Sequence, residues 1–461
     1  MRAASLLLLT LSLAAIAASP AAGAGRVSPG GPPVFVLTGQ GWGHGVGMSQ
    51  WGAYGQALAG RGHRQILAHY YRGTTIGAAP RTVVRVLLAA GRKRVRIASD
   101  VPFRVRAGGR TYRLPAGRIA LGPKARLQVH PPSGPKRVGG DVLVLPGLGG
   151  PLSVDGAAYR GALHVVAAGG SLRVVNEVRL EAYLLGVVPL EVPKEWPAEA
   201  LEAQAVAARS YALAKRLGSG PFDLYPDWRS QMYGGIAAEA PSTSAAVEAT
   251  AGEVLLYGGQ VATAFFHSTS GGRTASAAEV FGDDVPYLVS VPDPWDSASP
   301  LHRWTPRLLS PAALGKLLGL GASVADALTE HAPSGRSTRL VVRTKAGETV
   351  ALATTDVRDR LGLRSAWVRI GMLQLGPGAS SATRKAMTTG GVELSGIARE
   401  LGQAALERQR PDGSWEHARR LDVAADGTFS VVVRPKETTR FRLTADGFAS
   451  SPVTVRVRPA G

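Results

Sequence analysis

Residues 196–211, Trp196-Pro-Ala-Glu-Ala-Leu-Glu-Ala-Gln-Ala-Val-Ala-Ala-Arg-Ser-Tyr211, interrupt a chain that otherwise consists mostly of strand-like sequence. One helix face is marked by apolar residues at i, i+4, i+7 and i+11, which are Leu201, Ala205, Ala208 and Ala212. Pro197 suits the first turn of such a helix, and Gly218 lies just past its expected end. The sequence therefore predicts a helix over residues 197–216 whose alanine-rich face approaches a neighbouring element closely.

Strand-like segments surround this helix on both sides. Residues 81–188 contain short β-branched runs, such as 83–88, 95–97 and 172–175, which Gly, Pro and Asp turns separate. Residues 34–37 predict another strand, residues 49–60 a helix, and the mixed pattern continues to about Ile370. We expect an α+β fold, a β-rich core that contains an alanine-rich helix.

The C-terminal part differs in pattern. Residues 376–390 are rich in Gly, Ser, Thr and Ala, which is typical of a linker. Residues 391–461 hold short alternating segments separated by Asp-Gly turns at 412–413, 426–427 and 446–447. This pattern predicts a small all-β sandwich of immunoglobulin-like type, serving as a wall-binding or spacer module.

The N-terminal residues 1–24 have the pattern of a signal peptide. Arg2 precedes an apolar run over 6–18, and Ala22-Gly23-Ala24 provides a cleavage pattern of small residues. The run is short for a membrane span, which takes about 20 apolar residues. We expect a secreted, cell-wall-associated protein without a transmembrane anchor after cleavage; an uncleaved anchor is the alternative.

Composition narrows the function classes. The chain has no cysteine, which excludes disulfides and thiolate zinc sites. Its net charge of +20 suits a polyanionic partner. Export favours an anionic wall, and the arginines are scattered along strands without clustered aromatics, so we expect no nucleic-acid partner. A solvated basic surface without a specific partner is the alternative.

Three segments carry groups suited to chemistry. In residues 39–47, Gly39-Gln-Gly-Trp-Gly-His-Gly-Val-Gly47, glycine occupies every second position. If the segment is extended, one face is bare and allows close approach of a ligand or of another strand, while His44 projects from the other face. A tight structural loop is the alternative, as is a packed histidine.

Glu191 lies between an expected apolar strand and the alanine-rich helix, flanked by Pro189, Leu190, Val192 and Pro193. Desolvation there would raise the pKa of its carboxyl, as a general acid requires. A surface glutamate is the alternative, and Glu202 and Arg209 could simply pair along the helix. The third segment, 263–274, runs into a hydroxyl- and glycine-rich turn that suits carbohydrate hydroxyls or satisfies local backbone groups. Neither Ser268 nor Ser270 has a nucleophile-elbow sequence around it.

Together these segments resemble the stage II sporulation protein D / LytB amidase-enhancer (SpoIID/LytB) family. The resemblance rests on residues 41–53, 186–193, 196–211 and 266–274, with further matches at 283–288 and 361–365. It extends from about Val34 to Ile370. It implies a family domain over residues 25–375, with a β-rich insert at about 80–175 and a helix-containing core at about 176–370.

The resemblance implies that Glu191 is the catalytic residue of a lytic transglycosylase that acts on peptidoglycan glycan strands. One carboxyl would serve as acid and then as base, so the second carboxylate of ordinary glycosidases would be unnecessary. Eight residues are expected to position the sugar: His44, Gln50, Gln204, Arg209, Tyr211, Ser268, Ser270 and Gly271. The alternative is a non-catalytic, glycan-binding enhancer of a cell-wall amidase.

Two departures from the family pattern matter. The Gly-His-Gly segment precedes the rest of the domain, so we expect the 34–37 strand to occupy the place usually taken after Ile370. Some members bind zinc in the stretch matching 227–233, but this chain has neither cysteine nor histidine there, so we expect no metal or other cofactor.

Overall fold

The computed structural model describes residues 26–80, 82–123, 126–129, 136–137, 141–216, 220–378 and 391–457. Strands predominate among these residues, with several helices, which confirms the α+β prediction. The expected signal peptide, Gly218 and most of the 376–390 linker lie outside the described residues. In the described part of the chain, no helix is both long and apolar enough to cross a bilayer.

Helix α5 (Ala198–Ala214) lies at the centre of the molecule, as the alanine pattern predicts. Its predicted face packs in one apolar cluster with α3 (Leu180–Leu185), while Ala203, Val206 and Ala207 pack in a second cluster with α2 (His63–Tyr70). The other helices of this region are α1 (Gln50–Leu58), α4 (Val188–Glu191) and α6 (Pro241–Ala249). Because small residues occupy both faces, α5 is enclosed by its neighbours.

The residues of the expected insert form a pair of packed six-stranded sheets. One has the order β11-β10-β9-β6-β13-β14 and the other the order β5-β16-β15-β12-β7-β8. Alternating apolar residues of the two sheets share one buried cluster. The strands are β5 (Val83–Arg92), β6 (Val95–Ser99), β7 (Phe103–Ala107), β8 (Arg110–Leu114), β9 (Gly117–Leu121), β10 (Arg126–Val129), β11 (Lys136–Arg137), β12 (Asp141–Leu145), β13 (Leu152–Val154), β14 (Ala157–Tyr159), β15 (Ala162–Ala168) and β16 (Ser171–Arg179).

Strand β2 (Val34–Gly39) lies antiparallel to β24 (Val368–Pro377), with Leu37 opposite Ile370. Strand β2, near the start of the described chain, therefore pairs with the residues around Ile370. On its other edge β2 pairs with β20 (Arg307–Leu309). Both edges of β2 are hydrogen-bonded.

The C-terminal strands continue this same sheet. β24 extends two residues into the expected linker and pairs with β25 (Val392–Arg399), which pairs with β28 (Thr428–Val433). Ile370 and Met372 of β24 face one core, whereas Leu373 and Leu375 face the other. The facing sheet contains β1 (Arg26–Val27), β26 (Ala405–Gln409), β27 (Trp415–Arg420), β29 (Thr439–Ala445), β30 (Phe448–Ala449) and β31 (Val453–Arg456). The immunoglobulin-like assignment over 391–461 stays a prediction.

Shorter elements complete the described chain. They are β3 (Met48–Ser49), β4 (Thr75–Ala78), β17 (Glu253–Tyr257), β18 (Gln260–Val261), β19 (Phe266–His267), α7 (Ala277–Phe281), α8 (Pro311–Leu317), β21 (Val324–His331), β22 (Ser337–Thr344), β23 (Thr349–Ala353), α9 (Thr354–Leu361), and 3₁₀ helices at Gly235–Ala238 and Pro294–Ala298.

Two local expectations are wrong. The segment before Glu191 is helical, in α3 and α4, because its apolar residues recur at i, i+3, i+4, i+7 and i+8, which are Leu180, Tyr183, Leu184, Val187 and Val188. Residues 40–47 are not a continuous extended strand, because Gly41, Gly43, Gly45 and Gly47 all have positive φ.

Candidate functional site

Glu191 is the last residue of α4 and is half-buried. Its Oε1 accepts a hydrogen bond of 3.0 Å from the Met232 backbone N–H, in the loop that follows Tyr225. Exposed apolar side chains lie beside it on both segments, since Leu190 and Met232 are 45% and 42% exposed. The carboxyl therefore borders an open apolar surface and is neither sealed in the core nor free in solvent.

Burial raises the pKa of the Glu191 carboxyl above its usual value, and the Met232 N–H offsets part of that rise. Burial raises the pKa of the Tyr183 and Tyr211 hydroxyls, and the Glu191 carboxylate adds to both rises. Tyr183 is buried and donates to Gln231 Oε1 at 3.3 Å, whereas Tyr211 is half-buried. In the described residues no hydrogen bond engages the Tyr211 hydroxyl, so it is available to a ligand near Glu191.

Aromatic contacts link this carboxyl to the glycine-rich segment. The Tyr211 ring lies 5.7 Å from the Phe265 ring, and Phe265 lies 5.7 Å from the His44 ring, between centroids. Phe281, which is 42% exposed, packs 5.5 Å from His44. Helix α5 thus places Tyr211 between Glu191 and the glycine-rich segment, so the structure brings Glu191, Tyr211 and His44 to one region.

His44 is neutral in this environment. Burial, and next the charge of Arg336, lower its pKa to about 4. Its Nδ1 accepts a 3.0 Å hydrogen bond from the Val46 N–H, so the ring proton belongs on Nε2. That proton is engaged by the Phe266 backbone, so both nitrogens of the neutral ring already have partners within the protein.

The loop over 225–234 is closed by its own side chains. The Asp227 carboxylate accepts from the Arg229 guanidinium at 2.7 Å, and that guanidinium lies 3.8 Å from the Tyr225 ring centroid. Trp228 at the tip is 84% exposed. This aromatic side chain, in the loop whose Met232 contacts Glu191, is one the sequence analysis missed, although an isolated tryptophan in a polar loop is a usable signal.

A family model described as stage II sporulation protein (SpoIID) matches residues 168–257, the stretch that contains Glu191, Tyr211 and the 225–234 loop. This part of the chain therefore carries a SpoIID-type domain. The stage II sporulation protein D of Bacillus subtilis is 30% identical over 220 residues, which cover 43% of this chain and 62% of that protein.

Two other relatives match shorter parts. An uncharacterized protein of Brachyspira hyodysenteriae is 40% identical over 142 residues, 30% of this chain and 39% of that protein. The amidase enhancer of Bacillus subtilis is 42% identical over 123 residues, 26% of this chain and 16% of that protein. The chain therefore spans less than two thirds of the length of each of these relatives.

The remaining expected SpoIID site residues have other surroundings. Gln50 and Gln204 are buried and face one another, with Gln50 Nε2 at 3.4 Å from Gln204 Oε1. Nearby, Trp51, Tyr54 and Trp196 form a half-buried aromatic cluster with ring centroids 5.0 to 5.3 Å apart. The glutamine pair joins α1 to α5. The sequence analysis did not identify the aromatic cluster.

Arg209 is fully buried and engages every N–H of its guanidinium within the protein. Nε and Nη2 donate to the Glu181 carboxylate at 3.0 and 2.7 Å, and the remaining donors contact Thr250 and two backbone carbonyls. It therefore ties α5 to α3 and has no donor left for a sugar. Glu202 does not pair with it; its carboxylate lies 2.9 Å from His63 Nδ1.

The Ser268–Gly271 turn is also largely consumed by the fold. Ser270 Oγ donates to Asp293 at 2.8 Å, and the backbone N–H groups of Ser270 and Gly271 donate to Asp296 at 2.7 and 2.9 Å. Ser268 is half-buried and uses its carbonyl to accept from the Trp51 N–H. Asp296, which no sequence signal marked, is the residue that organises this turn.

The bare face of the glycine-rich segment packs against protein. A Cβ at Gly45 would lie 2.2 Å from the Arg336 guanidinium carbon, and a Cβ at Gly47 would lie 2.0 Å from the Phe265 carbonyl oxygen. Both glycines also have positive φ, so a side chain is excluded both by lack of space and by the backbone conformation. The bare face was expected to allow close approach of a ligand or of another strand, and the structure supports close approach by other segments of the protein.

One group in the described chain has donors placed for a cation: His63, Glu199 and Glu202. His63 Nδ1 lies 3.3 Å from Glu199 and 2.9 Å from Glu202, and Nε2 lies 3.1 Å from Glu253. Both ring nitrogens thus already have carboxylate partners. Hydrogen bonding accounts for the whole arrangement.

Proposed function

We propose that this chain is an exported lytic transglycosylase of the cell wall, with Glu191 as general acid and base. The observation that carries the proposal is a half-buried carboxyl with a raised pKa, at the edge of an apolar surface and next to an uncommitted tyrosine hydroxyl. A raised pKa keeps the carboxyl protonated at a higher pH, as proton donation requires.

The reaction we propose needs only one carboxyl. Glu191 donates its proton to the oxygen that bridges N-acetylmuramic acid and N-acetylglucosamine, and the C1–O bond breaks. The carboxylate then takes the proton of the muramoyl C6 hydroxyl as that oxygen bonds to C1, which closes a 1,6-anhydro ring. In the described chain, the causes of the raised Glu191 pKa include no second carboxylate, which suits this scheme.

Tyr211 is suited to hold the sugar. Its phenol is a neutral donor on the side of α5 that leads from Glu191 to the glycine-rich segment, where the His44 ring adds a surface for contact. Neutral donors bind hydroxyl and N-acetyl oxygens without stabilising the ionised form of Glu191. The exposed Trp228 and Met232 supply apolar surface for the pyranose faces.

The experiment is incubation of the purified chain with glycan strands freed of peptide by an amidase, followed by mass spectrometry of the sugar ends. We expect 1,6-anhydro ends from the wild type and a rate about 10²–10⁴-fold lower for Glu191→Gln. The matched control is Glu195→Gln, an exposed glutamate four residues away, which should cleave normally. Normal cleavage by Glu191→Gln would refute the assignment.

The pH profile provides a second test. Because burial raises the pKa of Glu191, the acid form is lost only as the pH rises through that raised value, and kcat/KM should fall there. Glycan binding without new ends would instead support an amidase-enhancing role. The likeness to the amidase enhancer over 123 residues favours that role as the second candidate.

A further inference from the structure

A separate cleft of about 860 Å³ lies where the C-terminal strands meet the core. Apart from Gly39 and Gln40, which begin the glycine-rich segment, its lining residues lie outside the surroundings of Glu191 described above. Its volume is within the range of small-molecule sites, which favour boundaries between packed units. The lining residues are Thr38, Gly39, Gln40, Arg303, Trp304, Pro306, Trp367, Arg369, Glu400, Leu401, Gly402, Asp446 and Phe448.

The lining of this cleft includes aromatic rings from both the core and the C-terminal strands. Trp304 is half-buried and fixed in place, because its Nε1 donates to the Gly41 carbonyl at 2.9 Å and its backbone N–H donates to the Gly39 carbonyl. A Cβ at Gly39 would lie 2.2 Å from the Trp304 ring, so only glycine admits it. Phe448, from the C-terminal strands, is also half-buried. The cleft thus presents preorganised aromatic surface.

Planar polar side chains line the same cleft. The Arg303 side chain is exposed and has no hydrogen bond or ion pair in the described chain. Asp446 uses Oδ2 to accept from the Gly402 N–H at 2.8 Å, which leaves Oδ1 open to a ligand. The Gln40 amide, on the glycine-rich segment, also lines the cleft.

The charges in the lining cancel. Arg303 and Arg369 supply two positive charges, and Glu400 and Asp446 supply two negative ones, so the sum is 2 − 2 = 0. Such a cleft has no net attraction for an anion, although the whole chain carries +20. An uncharged ligand fits better than a phosphate or an acidic peptide.

The backbone around the cleft excludes another class of ligand. Strand β2 is paired on both edges, and the next N–H groups, of Gln40 and Gly41, donate to Trp367 and Leu301 carbonyls. An extended peptide therefore finds no open strand edge here.

Glu400, which also lines the cleft, has a φ of 56°. Non-glycine residues seldom adopt this conformation outside functional or tightly held positions.

We propose that this cleft binds a neutral saccharide of the N-acetylhexosamine class. A pyranose has an apolar C–H face that stacks on Trp304 or Phe448, and equatorial hydroxyls that pair with Asp446, Arg303 and Gln40. The identification of its natural source as a glycan strand rests on the proposed function. The cleft would hold a strand through the C-terminal strands while another part of it lies at Glu191.

The test uses the full chain and tetra-N-acetylchitotetraose, a neutral sugar probe, in isothermal titration calorimetry. We expect measurable binding that weakens about tenfold in Arg303→Ala and in Phe448→Ala. The matched control Arg307→Ala, an exposed arginine of β20 outside the lining, should bind as the wild type does. Cleavage of peptide-free glycan strands is measured separately: if the wild type binds the probe and both cleft variants weaken that binding, absence of anhydro ends would refute the proposed function alone.

Hydrogen–deuterium exchange of the complex locates the probe. Protection should appear at residues 38–40 and 400–402. Protection at 225–234 instead, unchanged affinity of both cleft variants, or no binding by a folded wild type would each overturn the proposal. Displacement of the sugar by an acidic stem peptide bound at 400–402 would do so as well, because it would assign the cleft to peptide.

Discussion

The surroundings of Glu191 and the Ser268–Gly271 turn differ in how many of their polar groups are already hydrogen-bonded within the protein. Both lie in stretches that resemble the family strongly. At the first, a half-buried carboxyl accepts one backbone hydrogen bond and a nearby phenol is uncommitted. At the second, the Ser270 hydroxyl and the backbone N–H groups bind Asp293 and Asp296. A strong sequence motif can therefore mark structural residues as readily as functional ones. Residues whose polar groups are all hydrogen-bonded within the protein are structural, whereas uncommitted groups remain candidates for binding a ligand.

Asp296→Ala should produce the largest effect, a loss of about 3–5 kcal/mol in the free energy of unfolding. Its carboxylate is fully buried and accepts from Ser49, Thr269, His302 and two backbone N–H groups, which the variant would leave unpaired. Urea unfolding measures this. The exposed Asp283→Ala is the control and should change stability by less than about 0.5 kcal/mol. A mild effect at Asp296 would contradict the structural role of the turn.

Arg209→Leu should lose about 2–3 kcal/mol of stability. The substitution leaves the Val247 and Glu253 carbonyls without donors inside the protein, while Glu181 is partly exposed and can be hydrated. At a temperature where the variant is folded, its affinity for glycan should match that of the wild type. Reduced affinity for glycan with an unchanged free energy of unfolding would show that Arg209 binds the sugar and is not a structural residue.

Tyr211→Phe sharpens the contrast within the same helix motif, two residues away. Removing an uncommitted hydroxyl should leave stability within about 0.5 kcal/mol of the wild type. Under the proposed function, kcat/KM for release of anhydro ends should fall about five- to tenfold. Thermal melting and the cleavage assay provide the two readouts. Loss of stability without loss of turnover would place Tyr211 with the structural residues.

Asp293→Asn should change the pH dependence of stability. Burial, and next the charge of Asp296, raise the pKa of Asp293 to about 7. Its contribution is therefore complete below the usual carboxyl pKa and is lost as the pH rises through 7. Relative to the variant, the wild type should lose on the order of 2 kcal/mol between pH 5 and 8. Parallel pH profiles in urea unfolding would show that Asp293 does not titrate there.

Several features followed from local pattern. The alanine repeat predicted α5, and the β-branched runs predicted the strand-rich insert, because each segment's periodicity matches the face that it buries. Glu191 was identified through its apolar neighbours and the family resemblance, and its pKa is indeed raised by burial. The segment before it is helical instead of the expected strand, because the spacing of its apolar residues over 180–188 matches a helix.

The sequence by itself determined the fold class, the alanine-rich helix and the place of Glu191 among apolar neighbours, since these depend on residues near one another in the chain. Only the tertiary structure decided which polar groups are already paired. Asp296 reaches Ser49 across 247 positions, and Trp304 fills the space left by Gly39. No local pattern encodes those partners, because hydrogen bonds between distant segments are fixed by how the sheets and helices pack.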